Sequence, residues 1–314
     1  MQYYFAPMEG LTDSIYRRIH HKYFPGVDRY FMPFISPTIH RQLTHKEERE
    51  LPMADSVGFS AVPQVLTKVP EDFLWITQVC ADRGYEEINL NAGCPSGTVV
   101  SKGKGSGMLR NPEELDRFLD TVFRGTALPI SVKTRLGLDN PEDFEKILAV
   151  YNRYPIKELT VHHRVRKDFY KEPVREEWFR YAYEHSQNPL CYNGNLITKK
   201  QADQISMTYP GVKSVMLGRA LAGDPGMLCP EGTTVGKLKD FHDELVEEYV
   251  RVFGSHRNAM FRMKDNWRLL HRRFEDTDRL WKKLRKTTDY AEYMAITGEI
   301  FATLPLADSL RADW

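Results

Sequence analysis

A single cysteine stands where an apolar run gives way to a glycine-rich loop. The run Ile88-Asn89-Leu90-Asn91-Ala92 leads into Gly93-Cys94-Pro95, and the loop continues through Ser96 to Leu109 with four further glycines. A thiol between glycine and proline at an element boundary sits where functional groups concentrate; the plainer reading is a small residue filling a turn. Other short apolar runs end in the same way on residues that could meet a ligand. Those residues are Pro7 and Met8, Gln64, Lys133 and Arg135, His162 and Arg164, Asn193-Gly194-Asn195, and Gly218-Arg219. Each alone is a loop cap or a surface charge. Together they make a site only if the chain brings those ends to one place.

The runs themselves predict how it does so. Segments 3–8, 30–35, 59–65, 87–91, 130–135, 158–162, 190–193 and 214–217 read as strands, with amphipathic helical patterns between most of them. Asn111-Pro112-Glu113-Glu114 opens one such helix with a capping amide, a proline at the first position and acids at the positive dipole end. Eight strands with crossovers predict a (β/α)8 TIM barrel, an α/β fold, and an open doubly wound sheet is the competitor. Gly103-x-Gly105-x-Gly107 has the wrong spacing and position for a dinucleotide fingerprint. After residue 234 only helical patterns remain, so the expected domains are a barrel over 1–234 and a C-terminal all-α bundle over 235–314.

In a barrel, ligands bind at the C-terminal strand ends. Asn193-Gly194-Asn195 and Gly218-Arg219 follow strands seven and eight, where barrels most often bind phosphate. Gln64 and Lys133 suit the carbonyls and nitrogens of a flat heterocycle. No carboxylate pair, Ser-His-Asp set or His-Glu-x-x-His helix accompanies them, so glycosidase, serine hydrolase and zinc hydrolase chemistry lack their parts. A phosphate-bearing cofactor with one thiol and a histidine or two points to redox or proton-transfer chemistry. No metal is expected.

Composition agrees. The 314 residues are 28% charged and 41% hydrophobic, with no apolar stretch of membrane-spanning length. Four cysteines without a Cys-x-x-Cys pair argue against disulfides or a thiolate zinc site and for a reducing cytoplasm. The net charge of +1 conceals a local excess: residues 251–286 hold 12 Lys/Arg against 4 Asp/Glu. Arg262, Lys264, Arg268, Arg272 and Arg273 fall off the Met263/Trp267/Leu270/Phe274 face, where they are expected to meet phosphates; a solvated helix face is the alternative.

The segments Ala6-Pro7-Met8-Glu9-Gly10-Leu11-Thr12-Asp13, Asn91-Ala92-Gly93-Cys94-Pro95, Lys133-Thr134-Arg135-Leu136-Gly137, Thr160-Val161-His162-His163-Arg164, Asn193-Gly194-Asn195 and Met216-Leu217-Gly218-Arg219-Ala220 resemble, in order and spacing, the motif series of the tRNA-dihydrouridine synthases. The departures are Asn195 for a frequent aspartate, His163 for a small residue and Ala220 for glycine. The resemblance implies an FMN barrel followed by a helical RNA-binding domain; a monomer is the default expectation. NADPH reduces the flavin, hydride passes to C6 of a uracil in tRNA, and Cys94 delivers the proton to C5. It places Pro7, Met8, Gln64, Lys133, His162, Asn193, Gly194, Asn195, Gly218 and Arg219 around FMN. Asn91, Arg135 and Arg164 fall on the RNA side with the five basic residues of the helical region. The competing readings are an FMN barrel reductase for small molecules and a catalytically silent RNA-binding module.

Overall fold

A computed structural model of the chain describes residues 1–126 and 128–312, so Asp313 and Trp314, the last two residues of the expected helical domain, lie outside the described residues. Among the described residues, nine short parallel strands make one sheet: β1 (Gln2–Phe5), β2 (Arg29–Phe31), β3 (Ala61–Val62), β4 (Gln64–Val65), β5 (Ile88–Ala92), β6 (Ile130–Arg135), β7 (Leu159–His162), β8 (Leu190–Asn193) and β9 (Ser214–Leu217). Their order is β3-β2-β1-β9-β8-β7-β6-β5-β4. The two ends of that series are one stretch of chain, interrupted by Pro63, which has no N–H to give a ladder. Its carbonyl still accepts from Asn89 N at 2.8 Å, and Ile35 bridges to Val65 on the other side. The sheet therefore closes into an eight-membered ring. The barrel expectation holds and the open-sheet alternative falls, because an open sheet would leave β3 and β4 apart.

The connecting helices are α1 (Ser14–Tyr23), α2 (His45–Glu50), α3 (Pro70–Asp82), α4 (Gly97–Val100), α5 (Pro112–Gly125), α6 (Asp143–Tyr151), α7 (Glu176–His185), α8 (Lys199–Thr208) and α9 (Arg219–Gly223). Asn111 caps α5 as its sequence requires, accepting from the N–H groups of Glu113 and Glu114. Side chains alternate along the strands. One set joins the helices in the main core; Tyr4, Ala6, Phe31, Val62, Cys191 and Met216 form a separate apolar plug. Beside the plug the barrel carries a polar network. Gln64 Nε2 donates to Asn89 Oδ1 at 2.8 Å, and Asn89 Nδ2 donates to Ser131 Oγ at 2.8 Å.

From Val235 onward the described chain is helical: α10 (Val235–Phe253), α11 (His256–Leu270), α12 (Asp278–Leu284) and α13 (Tyr290–Thr303). Thr234 caps α10 at the residue where the strand pattern ends, and Gly254 closes that helix in the left-handed conformation, with φ +61°. Trp267, fully buried, donates Nε1–H to Tyr293 at 3.2 Å, and His242 shares the same hydroxyl at 2.6 Å. Helix α10 packs on α1 and α11 on α9, so the helical region sits against the barrel. Tyr249 reinforces that seam by donating to Asp13 Oδ1 at 2.9 Å. No helix among the described residues is long and apolar enough to cross a membrane.

Candidate active site at the barrel mouth

The parallel register sets Asn91 beside Lys133, Arg135 beside His162 and His162 beside Asn193 at the C-terminal ends of β5 to β8. They open on a cavity of about 600 Å³, in the range that takes a cofactor-sized ligand. Cys94, Asn91, Lys133, His162 and Arg219 line it, with Pro7 and Met8 at the end of β1. Arg268 and Arg272, from the helical region, complete its wall.

Asn91 builds the turn that presents the thiol. Its Oδ1 accepts the backbone N–H of Gly93 at 3.1 Å and of Cys94 at 2.9 Å, and its Nδ2 donates to Gln64 Oε1 at 2.7 Å. From the far side, Ser106 donates both its hydroxyl and its N–H to the Cys94 carbonyl. Burial pushes the thiol above its ordinary value, against the opposing pull of a Ser96 backbone hydrogen bond and of Arg135 and Lys133. Cys94 therefore stays protonated at neutral pH despite the cations around it. That is the state a proton donor needs.

The cations are arranged around it. Lys133 donates to Asn193 Oδ1 at 2.8 Å, while Asn193 Nδ2 is anchored on the Met216 carbonyl. Burial, then Arg135, brings the Lys133 ammonium down to about 8. His162 is held neutral by burial and by Arg135, Lys133 and Arg164. Its Nε2 accepts from Arg164 Nη1 at 2.9 Å, which leaves the proton on Nδ1. Arg219, lowered to about 10 chiefly by burial and so still charged, donates to Asn195 Oδ1 at 3.2 Å.

Several expected contacts turn out differently. Gln64, Asn193, Gly194, Asn195 and Gly218 do not line the cavity. Gln64 orients Asn91, Asn193 orients Lys133, and Asn195 orients Arg219. Arg135 lines the cavity, and its buried guanidinium donates to the carbonyls of Gly93, Val165 and Phe169, which ties the loops of the mouth together. Arg164 is buried on Glu172 O and His162. Among the helical cations, Arg262 donates to Gly10 O and faces Asp13 at 3.5 Å, Lys264 donates to Thr287 O at 2.7 Å, and Arg273 is held by Ala307 O and Asp224. Those three are used in docking and packing. A side chain's place off its own helix's apolar face does not reveal that a neighbouring element covers it.

Tyr170 was not legible as a site residue. It lines the cavity, with Arg219 over its ring at 4.6 Å, Arg135 at 5.2 Å and His162 stacked at 5.8 Å between centroids. The one available signal was an aromatic pair, Phe169-Tyr170, set among the charges of the loop after β7.

The cavity wall thus holds five cationic side chains, Lys133, Arg135, Arg219, Arg268 and Arg272, against one carboxylate, Glu9, which Lys46 already pairs at 2.6 Å. Helix α9 begins directly after β9, which sets Arg219, its first residue, at the mouth. The site suits a ligand that carries negative charge.

The sequence model of the dihydrouridine synthase (Dus) family matches residues 4–301. The chain belongs to the dihydrouridine synthase family. Relatives include tRNA-dihydrouridine synthase B of Pasteurella multocida (strain Pm70), 28% identical over 225 residues, which are 71% of this chain and 66% of the relative. The same-named protein of Proteus vulgaris is 28% identical over 221 residues, covering 70% of this chain and 67% of that one. The matches thus span about two thirds of these synthases' length. In fold, the chain is similar to morphinone reductase in complex with tetrahydroNAD, with a TM-score of 0.51 and 12% identity over 72% of this chain and 85% of that one.

Among the described residues, no group of three or more His, Cys, Asp or Glu is placed to hold a metal ion. The residues of this synthase-family site fit a flavin cofactor. Arg219 would pair with a phosphate, and Lys133 would meet the polar edge of the ring.

Proposed function

We propose that this chain reduces a uridine of tRNA to 5,6-dihydrouridine, with FMN as cofactor and NADPH as its reductant. Bound FMN supplies the hydride that adds to C6 of the uracil. The protein's own residues do the rest. Cys94 gives its Sγ proton to C5, completing saturation of the C5–C6 bond, and regains a proton from solvent. Lys133 and the Nδ1–H of His162 donate to the oxygens on which negative charge builds as the ring accepts hydride. Asn91 holds the Cys94 backbone in place, and Gln64 holds Asn91.

The observation that carries this reading is the protonated thiol at a cationic cavity mouth. A thiolate there would serve a nucleophile, and a carboxylate pair would serve hydrolysis; neither is present. A uracil stacked in folded RNA cannot reach such a mouth, so the base must leave its stack at a cost of a few kcal/mol, recovered by contacts elsewhere. We assign that recovery to the helical region from residue 235, whose Arg268 and Arg272 share the cavity wall with the barrel residues. The same wall gives a small-molecule reductase no use for those two arginines.

The test is direct. The purified chain, loaded with FMN and given NADPH and an unmodified tRNA transcript, is expected to yield dihydrouridine by nucleoside mass spectrometry. NADPH oxidation with no dihydrouridine, and no binding of the transcript, would assign the barrel to a small-molecule acceptor.

A further inference from the structure

Helix α11 presents two functional faces. Its buried face, Met260, Met263 and Trp267, belongs to the core of the helical region. Arg262 turns toward the barrel. The remaining face carries Arg257, Phe261, Lys264 and Arg268, which recur at i, i+4, i+7 and i+11 and so lie in one row. Phe261 is 41% exposed, although the core beneath it is complete without it. The Arg257 guanidinium stands over its ring at 5.5 Å from the centroid and the Lys264 ammonium at 5.1 Å. Lys264 is fixed there by its hydrogen bond to Thr287 O. Asp265 is the one carboxylate at the edge of the row. Arg268, the last member, lines the active-site cavity. The row is about 16 Å long at the rise of an α-helix, enough to follow several nucleotides into the mouth.

An exposed aromatic ring bracketed by cations along a path to a cationic cavity fits one kind of partner. We propose that Phe261 is a stacking platform for a nucleobase of the substrate RNA, with Arg257 and Arg268 taking phosphates on either side of it. The inference rests on the reading of the chain as an RNA-modifying enzyme and adds a residue and a register to it. The π-face of phenylalanine accepts any base, so the platform secures the RNA without reading its sequence, while the cations supply the salt-dependent part.

The experiment compares Phe261→Leu, Phe261→Ala and Phe261→Trp, with Arg257→Gln as the electrostatic control, in binding an unmodified tRNA transcript over a salt series. Thermal melting checks that each variant is folded. Leucine and alanine are expected to weaken binding roughly five- to hundredfold with the salt slope unchanged, and tryptophan to restore it. Arg257→Gln flattens the slope by about one unit. Binding by Phe261→Leu as tight as wild type, no recovery with tryptophan, or a slope flattened by Phe261→Ala overturns the platform. If the wild type reduces the transcript in that case, only the platform falls; if the wild type neither binds nor reduces it, the substrate reading falls with it.

Discussion

Gly105 and Cys94 are in contact through space that has no room for another atom. Gly105 lies at φ +56°, and a Cβ placed on it would fall 2.9 Å from both Cys94 Cβ and Cys94 O, and 3.0 Å from Val99 Cγ1. The loop that leaves Cys94 therefore returns to pack on it, with Ser106 bonded to the Cys94 carbonyl. Gly105→Ala is expected to destabilise the chain by about 1–2 kcal/mol through the left-handed backbone alone, with the clash added. It should cut dihydrouridine formation more than FMN content. Urea melts and flavin absorbance measure the two, and an alanine variant with wild-type stability and turnover would contradict the packing.

The thiol's role predicts a clean separation. Cys94→Ala should retain flavin and fold yet lose roughly 10²–10⁴-fold in single-turnover reduction of tRNA. Because burial raises the thiol, wild-type proton donation should persist through neutral pH and fail only on the alkaline side. A variant without the thiol that turns over at the wild-type rate would remove Cys94 from the mechanism.

Lys133 gives the site a different pH dependence. In the ligand-free chain its ammonium loses its proton near 8. A bound anion favours the charged form and raises that value, so binding above pH 8 takes up a proton. FMN affinity is then expected to fall as pH rises through about 8, by at most about tenfold per pH unit. Lys133→Gln should bind weakly at pH 7 and show no such limb. Titration of FMN into ligand-free protein from pH 6.5 to 9.5 decides this, and a flat wild-type profile would refute it.

Two arginines of α11 should behave in opposite ways. Arg262 is bound to Gly10 O and faces Asp13, so Arg262→Ala should loosen the seam between helices and barrel and lower thermal stability, with little change in the salt slope of RNA binding. Arg268 is exposed at the cavity wall, so Arg268→Ala should flatten that slope by about one unit and leave the melting temperature in place. Equal slopes in the two variants would show that the division between docking and binding is wrong.

The order of the strand segments and the Asn111 helix cap could be read along the chain, because they depend on local periodicity and capping chemistry. Strands β6, β8 and β9 begin and end where the pattern places them. The thiol at the end of β5 and the motif series were legible for the same reason, since each motif is contiguous. Closure of the ring through Pro63 was not, because a proline reads locally as a break in a strand. Nor could the sequence divide the cations into those that face the cavity and those that hold the structure. Arg164, Arg262 and Arg273 look as available along the chain as Arg219 and Arg268 do. Which carbonyls and carboxylates meet a guanidinium is set by residues far away in sequence, brought there only when the barrel closes and the helices pack against it. The same holds for the protonation of Cys94: its residue type supplies a thiol, and burial in the assembled mouth keeps the proton on it.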